Sequence, residues 1–288
     1  MKTSYLIQVL IIGIANGFLY YLIACGLSLI VSGIGIVNVA QGCFFILGIF
    51  LSLSLTPSIG LGWSCLLVPC IIALFAIPFE RLIRPLLSKH VFYVLLATYA
   101  LAMIIGDVTY YFVGGNHGLT EIPEILNGRV NIFGGKVPVY YLFICVVGLL
   151  IYAAYWLMMN RTKLGKILRA NMTDRQVVGA LGYNVNLLFI AMLMLAFAMS
   201  ALGGVLSGCI QSYDAKGSVT VFTNVMPIIF IGGLRNMKGT LPSALLVGVV
   251  GGFAAVLTPQ FYNMVPAAMM VLVMLVKPEG LFTRKEKA

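Results

Sequence analysis

Between Thr3 and Phe79 the chain contains no Asp, Glu, Lys, Arg or His, and further charge-free runs cover 137–160, 176–213, 217–234 and 239–276. Over all 288 residues only 9% are charged while 61% are apolar, against roughly 25% charged in an ordinary soluble domain. Too few polar side chains remain to cover a soluble globule. A soluble enzyme, a nucleic-acid binder and a disordered chain are therefore excluded. A helix needs about 20 apolar residues to cross bilayer hydrocarbon, so the longer runs each hold more than one crossing. The expected fold class is an all-α polytopic membrane protein.

Other shortages narrow the chemistry. The cysteines Cys25, Cys43, Cys65, Cys70, Cys145 and Cys209 lie scattered through apolar runs with no C-x-x-C spacing, and read as small buried apolar side chains. His90 and His117 are too far apart to suggest a metal site. The carboxylates divide between both faces of the membrane, so no catalytic constellation forms and no enzyme is expected. Leu22-Ile23-Ala24-Cys25 resembles a lipoprotein cleavage box, but cutting there would remove a crossing, so no processing is expected.

The formal charge of +10 would suggest nucleic acid on a soluble face, but its placement says otherwise. Fourteen of the 18 Lys and Arg fall in four segments: 80–89, 161–175, 235–238 and 277–287. Those segments carry the whole net charge, which marks them as cytoplasmic by the positive-inside bias. An even number of crossings must then separate them. Two are expected near 91–113 and 138–159, two near 187–210 and 219–234, and two in 239–276 split at Pro259 and Asn263. Residues 3–79 split at Ser32–Gly35 and around Pro57–Gly62 into three, which puts the N-terminus outside and the C-terminus in the cytoplasm. The expectation is about nine hydrophobic segments (8–9 crossings), some short or broken, forming one transmembrane domain over 1–288. Irregular backbone survives at membrane depth only where protein or a water-filled cavity covers it. Broken helices ending at a cavity are a common transport device. The glycine pairs Gly13/Gly17, Gly204/Gly208 and Gly248/Gly252 suit close helix packing.

The basic segment 161–185 predicts its own short helix. Thr173-Asp174-Arg175-Gln176 fits a capping box, with Thr173 as the cap and Gln176 reaching back. Asp174 suits the positive end of the dipole, and Gly182 supplies the left-handed residue that closes a helix. About eight residues lie between, roughly 12 Å. A helix so short is marginal alone in water, so Val177, Val178 and Leu181 argue for a partner surface or for packing against the membrane domain itself.

In this segment, Gly165-Lys166-Ile167-Leu168-Arg169-Ala170, Thr173-Asp174 and Ala180-Leu181-Gly182-Tyr183-Asn184 resemble the cytoplasmic loop of bacterial branched-chain amino-acid permeases of the LivH type, which belong to ATP-binding-cassette importers. Gly33-Ile34-Gly35-Ile36-Val37-Asn38-Val39-Ala40-Gln41-Gly42 is similar to that family's glycine-rich segment. Glu80-Arg81 with Arg84-Pro85-Leu86 resembles its first inner loop, Gly232-Gly233-Leu234 with Gly239 and Ala244 its third, and Lys277-Pro278-Glu279-Gly280-Leu281-Phe282 its C-terminal end. The order is more specific than any one motif. Gln41 replaces the family's usual histidine and Cys43 an acid that often follows, while Ala254-Ala255 stands where related permeases often carry an acid.

The resemblance implies a permease that pairs with a second related permease (the same chain or another), two cytoplasmic ATP-binding subunits and a periplasmic substrate-binding protein. These would sit together in the bacterial inner membrane. It also implies import of branched-chain or related small amino acids by alternating access, or of the urea, short amides or aromatic acids that relatives carry. No G-x-x-x-x-G-K-S/T phosphate loop is present, so ATP and Mg would be bound by partner subunits and this chain needs no cofactor of its own.

The candidate substrate pathway is Asn38, Gln41 and Gly42 at the glycine break, with Asn16 and Asn224. Asn38 and Gln41 share one helical face; each amide also suits a plain helix-to-helix hydrogen bond. The candidate coupling residues are Thr173, Asp174, Arg175, Gln176, Val178, Leu181 and Gly182. Asp107 is an acid within an expected crossing, but near its outer end, and reads as interfacial. A self-sufficient secondary transporter or channel would normally place ionisable groups inside the membrane, and this chain has almost none. A scaffold without transport would tolerate leucine at 38 and 41.

Overall fold

A computed structural model describes residues 3–87, 89–114, 118–132, 135–234 and 236–283. Lys2, His117, Arg235 and the bases from Arg284 onward lie outside those residues. The helices are α1 (Thr3–Ile34), α2 (Gln41–Leu74), α3 (Ala76–Ile83), α4 (Val91–Val113), α5 (Val139–Arg161), α6 (Lys163–Thr173), α7 (Arg175–Ala180), α8 (Val185–Ser207), α9 (Ser218–Gly232), α10 (Thr240–Leu257) and α11 (Val265–Val276). The outer loop before α5 adds an antiparallel ribbon, β1 (Arg129–Ile132) with β2 (Gly135–Pro138), in which Val130 faces Val137.

Among the described residues, seven helical segments are long and apolar enough to cross a membrane, and α9 is a shorter apolar helix of 15 residues. One of the seven runs from Gln41 to Leu86, 46 residues, more than twice what a bilayer requires. It reverses at Gly60, whose φ of 78° and ψ of 159° are non-helical. The reversal is real packing: Phe79 returns to meet Phe44 edge-on at 5.9 Å between ring centroids, and both rings lie against Phe197 of α8. The break expected around Pro57–Gly62 is this one, and the break expected at Pro259 and Asn263 is a 3-10 turn over Pro259–Met264.

The core is apolar side chains of α1, α2 and α8. Two of the expected glycine pairs are the two sides of one contact. A Cβ at Gly13 would lie 2.9 Å from the Val249 Cα and one at Gly17 2.9 Å from the Leu245 Cα, and Gly248 in turn abuts the Gly17 backbone. Small residues there let α1 and α10 touch backbone to backbone, the main source of helix adhesion where lipid is as greasy as protein. The cysteines are free; Cys25, Cys43 and Cys209 are buried as expected, whereas Cys70 is exposed on the outward face of α2.

The bundle has two distinct ends. At one, Asn171 of α6 donates to the Gly33 carbonyl at the end of α1 (3.5 Å), and Met237 lies beside Tyr155. At the other, the Thr120 amide donates to the Gly208 carbonyl (3.0 Å) and Lys216 pairs with Asp107 (2.8 Å). The basic loops at 161–175 and 236–238 share the first end, so positive-inside bias makes it the cytoplasmic one.

Candidate functional site

The site is built around two helices that start inside the bundle. The chain leaves α1 at Ile34, runs without regular structure through 35–38, and re-enters helix at Gln41. Gln41 Nε2 donates to the carbonyl of Ala196 (2.8 Å) and to the Ser200 hydroxyl, half-way along α8. The neighbouring Gly42 lies directly against Ser218, the first residue of α9. Two helix N-termini therefore converge at mid-bundle, each with backbone N–H groups that lack intrahelical partners. Asn38 supplies one acceptor, its Oδ1 taking the Ala40 amide at 3.1 Å, and Thr98 another, taking the Val39 amide at 3.3 Å. Asn38 Nδ2 and Gln41 Oε1 are fully buried with no hydrogen-bond partner among the described residues, a state that costs about 1–3 kcal/mol each.

Directly beyond this junction, toward the outer end, a narrow cleft of about 60 Å³ opens between α1, α9 and the turn before α11. Its walls carry Asn16, Tyr20, Gln211, Asn224, Tyr262 and Asn263, over an apolar floor that includes Phe45 and Val221. The Tyr20 and Tyr262 hydroxyls meet at 3.1 Å, closing one side. No Asp, Glu, Lys or Arg is among its lining residues. Burial raises the pKa of the Tyr213 phenol in the adjoining loop, so it too stays neutral. The cleft has room for a few waters.

The cytoplasmic loop holds two helices where one was expected. Thr162 caps α6 by accepting from the Gly165 amide (3.1 Å). Thr173 is the last residue of α6, its hydroxyl turned back to the Arg169 carbonyl (3.2 Å), so it cannot cap α7. Asp174 caps α7 instead, accepting from the amides of Gln176 (2.8 Å) and Val177 (3.2 Å). The helix is six residues long. Gly182 closes it as expected, with φ of 83°, while Tyr183 donates to the Val178 carbonyl (3.3 Å) and Gly182 to that of Gly179 (3.0 Å), the Schellman pattern. Val178 is buried among Leu29, Leu168, Leu188 and Met192 and faces its own membrane domain. Leu181 and Val177 are 69% and 53% exposed, with Tyr183 beside them. The Arg175 side chain lies outside the described residues.

Residues 9–274 match the family described as "Branched-chain amino acid transport system / permease component". The chain belongs to that family. This permease is 24% identical over 302 residues to the high-affinity branched-chain amino acid transport system permease protein LivH of Salmonella typhimurium, covering 98% of this chain and 97% of that one. It is 26% identical over 303 residues to BraD of Pseudomonas aeruginosa, described in the same words, covering 97% and 96%. Its fold matches a chain of PsaBC from Streptococcus pneumoniae, solved in complex with Fab, at a TM-score of 0.52 and 15% identity, covering 96% of this chain and 94% of that one.

The five expected pathway residues fall in two groups. Asn16 and Asn224 line the cleft; Asn38, Gln41 and Gly42 lie beneath it at the helix junction, fully buried. Tyr20 and Tyr262 went unnoticed in the sequence, and Asn263 signals only a helix break there. Tyr20 lies one helical turn from Asn16 and so shares its face, while Tyr262 and Asn263 belong to the break that Pro259 announces. Asp107 is exposed and paired with Lys216, in keeping with an interfacial residue. The third inner loop and the C-terminal motif, far apart in sequence, meet: Leu281 donates to the Ile231 carbonyl (2.8 Å), Asn236 Nδ2 to that of Phe282 (2.8 Å), and Lys277 Nζ to those of Leu281 (3.0 Å) and Thr283 (2.9 Å).

Proposed function

We propose that this permease forms the membrane path of an ATP-driven importer for branched-chain or related small amino acids in the bacterial inner membrane. It works with a second related permease, two cytoplasmic ATP-binding subunits that hold ATP and Mg, and a periplasmic binding protein. The observation that carries the reading is α7: a capped stub with Val177, Leu181 and Tyr183 turned outward at the cytoplasmic end. Six residues cannot sustain a helix in water, so that apolar edge seats in the motor subunit. Displacement passes through Val178 and Leu168 to the inner ends of α1 and α8. It then reaches the Gln41–Ala196 junction and opens the cleft to one side or the other.

The neutral amide lining also favours a second reading within the family, in which the solute is urea or a short amide. In that case such compounds, rather than leucine, compete for uptake.

The test is reconstitution with the partner subunits. Asp174→Arg and Gly182→Pro are expected to abolish uptake and solute-stimulated ATP hydrolysis while membrane insertion, read by immunoblot, is unchanged. Normal stimulated hydrolysis in either variant rejects the assignment.

A further inference from the structure

A second recess lies at the cytoplasmic end, away from the cleft, with a volume of about 90 Å³. It is walled by Tyr152, Tyr155, Trp156 and Met159 of α5, by Tyr21 of α1, and at its mouth by Asn160, Arg169 and Lys238. Two bases and no acid are among its lining residues. Arg169 is held in place, one Nη donating to Asn160 Oδ1 at 2.9 Å; a guanidinium carries five N–H donors, leaving others for an anion. Tyr155 braces the floor against Met237 through its hydroxyl (3.9 Å to sulfur).

The recess sits where α5 ends at Arg161, five residues beyond exposed Trp156. An aromatic belt under basic side chains is the signature of the headgroup layer. Nearer mid-membrane on α5, Leu149 is exposed two turns before Trp156 and on the same face, with Val146 and Leu150 exposed beside it, so apolar surface continues from the recess. Basic pockets between transmembrane helices on the cytoplasmic side are the recurrent setting for anionic lipid headgroups.

We infer that this recess binds one anionic phospholipid, its phosphate between Arg169 and Lys238, its glycerol region on Trp156 and Tyr152, and an acyl chain along the exposed face of α5. The inference is independent of the solute carried.

The full-length permease, purified in mild detergent, is exchanged with phosphatidylglycerol or phosphatidylcholine and the retained lipid counted by native mass spectrometry. Wild type is expected to retain phosphatidylglycerol preferentially. The Arg169→Gln/Lys238→Gln pair should lower that preference about 30-fold, at about 5-fold per base removed. Lys163→Gln/Lys166→Gln, which removes the same charge from the same end of the bundle outside the recess, should leave it unchanged. Trp156→Ala should weaken retention of both lipids. Equal retention of the two lipids by wild type, an equal loss in the two charge variants, or displacement by millimolar inorganic phosphate would each overturn the proposal.

Discussion

Asp174 ends one helix and begins the next with a single extended residue, φ −151° and ψ 110°. Its carboxylate is the acceptor that α7 needs, and loss of such a cap costs about 1 kcal/mol. Asp174→Asn keeps an acceptor and is expected to retain most uptake, whereas Asp174→Ala should lose most of it at equal membrane abundance. Gln41→Leu removes both hydrogen bonds to α8, and the thermal midpoint in detergent should fall by the equivalent of about 1–2 kcal/mol. At the outer surface, the hydrogen bond that Lys216 donates to Asp107 raises the Lys216 pKa above the ordinary lysine value. A raised lysine pKa favours the folded state at all lower pH and fades only as pH climbs through the folded value. Thermal stability is therefore expected to be flat from pH 6 to 9 with respect to this pair, and the Asp107→Asn profile should be equally flat there. Thr173 shows how a motif can mislead by one place: a threonine beside an aspartate offers two caps, and only the packing of α6 against α5 decides between them.

Helix ends were easiest to read where charge or proline stops an apolar run. α4 begins just after His90, α5 ends at Arg161 and the break before α11 starts at Pro259, because solvation of ions and the missing proline N–H act locally. The ribbon β1–β2, the extra helix α6 and the mid-bundle starts of α2 and α9 were not legible as such, since each depends on a partner distant in sequence. Ser218 is an ordinary serine until Gly42 is placed against it. Contact between α1 and α10 is testable at the same scale. Gly248→Leu would drive a side chain into the Gly17 backbone, and overpacking of this kind costs about 1–3 kcal/mol, so the detergent melting point should drop. Gly62→Ala, where an added Cβ meets nothing within 4 Å, should leave it unchanged.

Taken whole, the molecule keeps its charge at the rims and offers neutral amides and phenols within. Among the described residues the one buried carboxylate is Glu80, held by Arg84 at 2.9 Å in the first inner loop, so liposomes containing this chain alone should show no uptake down an imposed proton or sodium gradient, while the complete assembly should import with ATP. Transport by the isolated chain would sink the motor-driven reading. The C-terminal clasp on the loop after α9 has a mechanical corollary. With Leu281 hooked onto Ile231 and Asn236 stapled to Phe282, the foot of α9 is anchored, and the opposite end of that strut is Ser218, packed on Gly42 without such a clasp. Rocking during the cycle must then show as sweep at the upper tip with little travel at the base. Paired spin labels at positions 219 and 234 would register it as a wide distance change for the first and a nearly stationary one for the second.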